Sequence, residues 1–345
     1  FNNTTGNQNT ALGVEALEEN TTGAGNIAVG YQAAYSNTTG TGIGGIGYQA
    51  LYSNTTGNYN TGLGYGALSA NTTAANNTGV GANALYVSTT GTDNTAVGTC
   101  ALFCNTTASN NTAVGNRALT ANTTGTQNTA LGMDTLKAAT TASNNVAVGY
   151  GAMRYPTGLT GNTAIGWNAL TAMSGSAGNK FNTAVGYGSG DSVTTADSLT
   201  LIGAQTGQAI TTGNDNTAVG YLSLNQLETS GSNTAVGHMA GYHTMGNSNT
   251  YIGEGAGYSG ADADHGSKNV AVGRGSMYYG DNINNSVAIG YNSLLNGDAN
   301  TSETVAIGYG SAWFATGSQN TFVGSEAGKG GTTSAPYSSG EQNVA

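Results

Sequence analysis

One signature returns along this chain at a fixed spacing: Asn, a small polar residue, Ala, an aliphatic residue, Gly. Its closing glycines are Gly13, Gly30, Gly47, Gly64, Gly81, Gly98, Gly115, Gly132, Gly149 and Gly166, nine intervals of 17 residues. Nine further copies close at Gly186, Gly203, Gly220, Gly237, Gly253, Gly273, Gly290, Gly308 and Gly324, at intervals of 16 to 20. A unit this short cannot bury an apolar face alone, so it must stack on its neighbours.

Composition narrows the choice. Only 7% of the 345 residues are charged and 57 are Gly, against about 25% charged and about 7% Gly in ordinary domains. Gly and Asn are poor helix formers. Two Pro and no Gly-X-Y register exclude collagen. No apolar run approaches the ~18 residues of a membrane helix. Low-complexity disorder is the remaining rival. It would not hold one column aliphatic through nineteen copies, as the residue before each glycine is, from Leu12, Val29 and Ile46 to Val323.

The alternation before each glycine predicts a strand. In this reading the aliphatic column faces inward. The Ala or Gly column beside it, which becomes Leu201, Tyr251 and Phe322 in three copies, faces outward. Four residues after the glycine stands Leu in ten copies, Met in two, Ala in two and Gly in five (Gly190, Gly207, Gly241, Gly257, Gly328). This predicts a second strand as the opposite core wall. An Asn-Thr-Thr-Gly turn, at Asn3, Asn20, Asn37, Asn54 and onwards, joins the strands, with its Gly supplying positive φ. Pro156 falls at the turn of its coil and Pro336 in the loose last coil, where no ladder hydrogen bond is needed. The expected fold is an all-β parallel β-solenoid, or β-roll, of about nineteen rungs, spanning roughly 90 Å. Residues 1–170 form the regular part, and 171–345 continue it with irregular rungs and loop insertions. Stacked Asn would form ladders, and register stacking would disfavour charge, because like charges would lie over one another.

Asn285-Ser286-Val287-Ala288-Ile289-Gly290 resembles the head repeat of trimeric autotransporter adhesins. Gly47-Tyr48-Gln49-Ala50-Leu51-Tyr52-Ser53-Asn54-Thr55-Thr56-Gly57 more closely resembles repeats of phage tail fibres. These resemblances imply a left-handed coil, a homotrimer and a place on a virion surface or outside a cell. The chain begins inside a turn and stops inside a twentieth copy at Ala345, which reads as an excerpt of a longer fibre.

Candidate sites are few. Gly42-Ile43-Gly44-Gly45-Ile46-Gly47 matches a dinucleotide fingerprint, but its last Gly is a rung glycine and no helix is expected after it. Cys100 and Cys104 share one rung; in an extended strand they would be about 13 Å apart, too far for a disulfide. Asp262, Asp264 and His265 sit in a three-residue insertion and could hold Ca²⁺ or another cation, although a solvated loop is the preferred reading. His238 and His243 lack ligand spacing. Tyr follows the rung glycine at Tyr31, Tyr48, Tyr65, Tyr150, Tyr187, Tyr221, Tyr291 and Tyr309, with Trp167 in the same column. Such a column could stack on glycans or pack against a sister chain, and its run along the stack favours packing. The many Asn-x-Thr sequons read as turn chemistry. A formal charge of −10 disfavours nucleic acid. No catalytic set is evident, so an enzyme is not expected, and neither a cofactor nor membrane insertion is. The expected function is a structural fibre shaft that projects a binding tip. A lectin-like adhesin binding glycans along the shaft is the alternative. An ice-binding solenoid is a remote one, since the paired Thr lie in turns.

Overall fold

The computed structural model describes residues 2–175, 178–259, 266–297 and 301–330. It is all-β, with no α-helix among these residues. Nineteen three-residue strands, from Thr10–Leu12 to Thr321–Val323, each end on the residue before a rung glycine. Two shorter strands, Leu159–Thr160 and Gly178–Asn179, pair with each other. The chain divides into two units, Phe1–Lys180 and Phe181–Ala345. Within each unit successive rung strands pair in parallel without slip. Thr95, Ala96 and Val97 lie opposite Thr112, Ala113 and Val114 in the first unit. In the second, Tyr251 lies opposite Ala271 across a 20-residue interval. Extra residues are therefore absorbed outside the ladder.

The strand faces are the reverse of the sequence expectation. Ala28, Ala96, Ala113 and Ala147 are fully buried, whereas Leu12, Ile46, Leu63 and Ile289 are exposed. Interior width is the reason. A Cβ placed on Gly45 would lie 3.1 Å from the Ala50 carbonyl oxygen, and one on Gly62 would lie 3.0 Å from that of Ala67. The opposite wall is so close that the strand admits little more than a methyl group.

That opposite wall is not a strand either. After the rung glycine the chain makes tight turns, with left-handed backbone two and four residues on, as at Gln49 (φ 51°) and Leu51 (φ 56°). The Gln49 N–H donates to Tyr31 one rung back at 2.9 Å, and the Leu51 N–H to Ala67 one rung forward at 2.9 Å. The wall is thus laddered to both neighbours without strand dihedrals. Side chains branched at Cβ are outliers at left-handed φ, and no Val, Ile or Thr occurs among the positive-φ residues. This is why the core column holds Leu, Met, Ala or Gly and never Val or Ile.

The rung glycines are obligatory for a second reason. Their φ lies between 123° and 141°, and a Cβ on Gly47 would sit 2.4 Å from the Gly64 carbonyl oxygen. The Gly closing each Asn-Thr-Thr turn differs from expectation: Gly23, Gly40 and Gly57 are absent from the left-handed region. Accordingly Ala74, Ala108 and Ala142 fill that column, buried. Pro156 is buried in the turn, and Pro336 lies outside the described residues.

Three rungs exchange core volume between the two walls. Where the inward strand residue is large, the Leu position is Gly: Leu201 with Gly207, Tyr251 with Gly257, Phe322 with Gly328. A Cβ on Gly257 would lie 2.3 Å from Tyr251 Cδ1, and one on Gly328 would lie 2.1 Å from Phe322 Cδ1. The three large residues are buried, not outward as their variability suggested.

Two buried Asn ladders tie the rungs together. In the turn, Asn37 Nδ2 donates to Asn20 Oδ1 at 2.8 Å, Asn54 to Asn37 at 2.9 Å and Asn71 to Asn54 at 2.6 Å. Before the strand, Oδ1 of one Asn accepts the backbone N–H of the next rung, as from Asn94 to Asn77 at 2.9 Å and from Asn111 to Asn94 at 3.0 Å. The turn ladder breaks where Ser88 and Ala139 replace Asn. The acceptors stranded beneath those breaks, Asn71 Oδ1 and Asn122 Oδ1, are buried without a hydrogen-bond partner.

Two outcomes follow for thermal or denaturant melts. Ala139→Asn supplies the missing donor to Asn122 and should stabilise by about 1 kcal/mol; an unchanged melt would contradict the ladder. Tyr251→Ala should cost about 3–5 kcal/mol, and Gly257→Leu should also destabilise. The double variant should recover much of the loss, with a coupling of at least ~0.5–3 kcal/mol. Additive losses would contradict volume exchange.

Candidate functional site

Chemistry-bearing side chains on each rung lie where the chain turns after the strand. All eight tyrosines of the predicted column are exposed. Rung stacking brings rings together: Tyr31 on Tyr48 at 5.3 Å, Tyr48 on Tyr65 at 5.0 Å and Tyr291 on Tyr309 at 5.5 Å between centroids. Tyr150 stacks on Trp167 at 6.3 Å and Tyr221 on His238 at 5.7 Å.

A second aromatic column, absent from the sequence reading, stands five residues after the rung glycine. Tyr35 stacks on Tyr52, Tyr86 on Phe103, Tyr242 on Tyr258 and Tyr258 on Tyr278, the last at 4.6 Å. Its signal stands at the same phase in every one of these rungs: the residue after the core Leu, Met, Ala or Gly is aromatic.

In the second unit the two columns enclose a cleft of about 290 Å³. One side is His238, Glu254, Arg274 and Tyr291; the other is Tyr258 and Tyr278. Gly255 and Gly275 form part of its lining, where other rungs carry side chains such as Met239 and Asn292. A Cβ on Gly255 would lie 2.7 Å from the Tyr278 ring, so glycine permits the ring to lie there. Arg274 Nε is 3.1 Å from Glu254 Oε2 on the neighbouring rung. The guanidinium sits 5.8 Å from the Tyr291 centroid, within cation–π range. Burial, then the neighbouring Tyr258, Tyr279 and Glu254, push the Tyr278 hydroxyl up from its ordinary value, with Arg274 opposing. Tyr278 is therefore a hydrogen-bond donor at neutral pH.

His243 lies beside this wall, edge-on to Tyr242 at 4.7 Å and to Tyr258 at 6.4 Å. Burial holds its imidazole below the usual histidine range.

The first unit has a different cluster. The Asp134 side chain is 2% exposed. It takes Arg117 Nε at 2.9 Å, an Arg154 nitrogen at 2.8 Å and Lys137 Nζ at 3.7 Å. Three of the seven basic residues thus converge on one buried carboxylate, which pins three rungs at their turns.

Cys100 and Cys104 are free and half-buried. The chain between them is turned, not extended, with Cys100 and Leu102 both left-handed, so the extended-strand separation does not apply. Burial, aided by Cys100, pushes the Cys104 thiol up and lowers its thiolate fraction at neutral pH. The Gly42–Gly47 match is a rung strand, Gly44–Ile46, with no helix after it. Sequon residues Asn20, Asn37, Asn54, Asn71, Asn105 and Asn122 are buried with Nδ2 hydrogen-bonded, leaving no room for a glycan. Asp262, Asp264 and His265 lie outside the described residues. Among the described residues no three His, Cys, Asp or Glu side chains converge as metal ligands, and no helix is long and apolar enough to cross a membrane.

Compared with protein-family models and with curated proteins, the chain matches none.

The lowered His243 pKa sets the sign of one pH effect. The unfolded chain binds the His243 proton more readily than the folded one. This contribution to stability is therefore full above the ordinary histidine pKa and is lost as pH falls through the lowered folded value. Melting temperature should drop between about pH 7 and pH 5, and His243→Phe should flatten that slope. An identical slope in the variant would contradict the assignment.

Proposed function

We propose that this chain is part of an extracellular or virion-surface fibre shaft, whose copies pack side by side, three to a fibre. The observation that carries the reading is the outward strand face. Its aliphatic column is never buried, and Leu12, Ile46, Leu63, Leu131, Ile165, Ile202, Ile252, Ile289 and Val323 are exposed. The accompanying outward column is Thr, Val, Ile or Gly, and neither column holds a charge in any of the nineteen rungs. Large continuous apolar faces on soluble chains mark interfaces.

A second copy of the same chain fits this face best. The columns repeat once per rung, so two copies can match along their lengths. Nineteen three-residue strands, each ~10 Å long and ~4.8 Å wide, give roughly 900 Å² of such face in all, enough for the ~800 Å² per partner of stable complexes. No charge is desolvated when such faces meet, although the chain carries −10 overall. The threefold count rests on the resemblance to trimeric adhesin heads and tail fibres. Ice binding is less well supported, because only one outward column is rich in Thr.

Sedimentation equilibrium tests this. The wild-type chain should sediment at about three times its 34.2 kDa mass. Combined Ile46→Asp, Leu131→Asp, Ile202→Asp and Ile289→Asp should give folded single chains with unchanged far-ultraviolet circular dichroism. A wild-type single chain, or a variant that still assembles, would overturn the proposal.

A further inference from the structure

We propose that the cleft between the two aromatic columns of the second unit is a binding site for a neutral pyranose saccharide of one or two rings. The proposal stands apart from the fibre reading and does not need it. The cleft is the place where three conditions coincide.

The first is an aromatic wall. Tyr258 and Tyr278 stack at 4.6 Å and line the cleft with Tyr291 opposite. Pyranose rings present an apolar C–H face and an equatorial ring of hydroxyls. Because Tyr242, Tyr258 and Tyr278 stack on one another, it is their ring edges that line the cleft; these give the sugar's C–H groups an apolar contact, and the hydroxyls need donors and acceptors at the rim.

The second is a matched polar pair. Arg274 and Glu254, 3.1 Å apart, are each more than half exposed at the cleft. The guanidinium offers several donors in a fixed plane and the carboxylate only acceptors. Vicinal hydroxyls, which both donate and accept, can bridge such a pair. Asn292 and the protonated Tyr278 hydroxyl add one amide and one donor. The lining holds one formal positive and one formal negative charge, so it favours a neutral ligand over an acidic sugar or a phosphate.

The third is space. Gly255 and Gly275 let the Tyr278 ring and the Asn292 amide close onto the backbone, which keeps these side chains out of the space between the columns. The volume of about 290 Å³ sits at the lower end of ligand sites, which limits the occupant to one or two rings at a time. The stacked tyrosines of the first unit, such as Tyr31, Tyr48 and Tyr65, have the rings without this ion pair.

The test uses the full chain against a printed array of neutral and acidic mono- and disaccharides, followed by calorimetry with the best neutral disaccharide. Wild type should bind neutral pyranosides. Tyr278→Ala and Arg274→Ala should each weaken binding at least tenfold, and Tyr48→Ala should leave it unchanged. Should Tyr278→Ala melt early, Arg274→Lys serves instead: it keeps the charge, loses the planar fork and should still weaken binding at least tenfold. No binding of neutral sugars, binding of acidic sugars alone, or equal loss in Tyr48→Ala would overturn the site. None of these results bears on whether the chain trimerises.

Discussion

The strand, Asn and aromatic columns of this fold each set a residue beside its counterpart one rung away. That constraint governs what each column can hold. A residue that cannot stack on itself, or on whatever the next rung offers, destabilises two interfaces at once. Rung glycines show the strictest form: those from Gly13 to Gly149, and again from Gly186 to Gly308, lie so close to the next rung glycine's carbonyl that only hydrogen fits. Asn shows the productive form. It carries both donor and acceptor on one short side chain, so a stack of identical Asn satisfies itself, and the stranded oxygens at Asn71 and Asn122 show what an interruption costs.

Charge obeys the same rule. Along a column, like charges would lie one strand spacing apart. Where charges do occur, neighbouring rungs answer them: Arg117 with Asp134, Glu254 with Arg274, Gln32 with Glu15, Gln208 with Asp191. Aromatic residues stack without penalty, which lets tyrosine recur in two columns. The cleft arises where a charged pair interrupts one aromatic column beside an intact stretch of the other.

The rung count, the period, the parallel register and the all-β class were legible in the sequence, because the aliphatic-Gly pair marks phase in all nineteen copies. The Asn ladders were legible too. Inside and outside were not. Period-two alternation says that two faces differ and leaves open which one is buried, and aliphatic size suggested the wrong face. The better clue was restriction: a column limited to Ala or Gly in sixteen copies marks a crowded interior, and its three exceptions pair with the missing Leu at Gly207, Gly257 and Gly328. The opposite wall was misread for a related reason. Leu, Met, Ala and Gly without a single Val or Ile is the composition of left-handed backbone, not of a strand. The second aromatic column was as regular as the first and went unread. The cleft needed three dimensions, because its lining is gathered from four successive rungs between His238 and Asn292.

The account therefore depends most on the rung having one short strand and a wall of left-handed turns. Backbone chemical shifts and three-bond HN–Hα couplings of the core leucines, Leu51, Leu68, Leu85, Leu102 and Leu119, test this most directly. The account predicts left-handed values at these residues, with φ near +50°, beside extended values confined to the three residues before each rung glycine. Extended values at the leucines would restore the two-strand rung and contradict the structure described above.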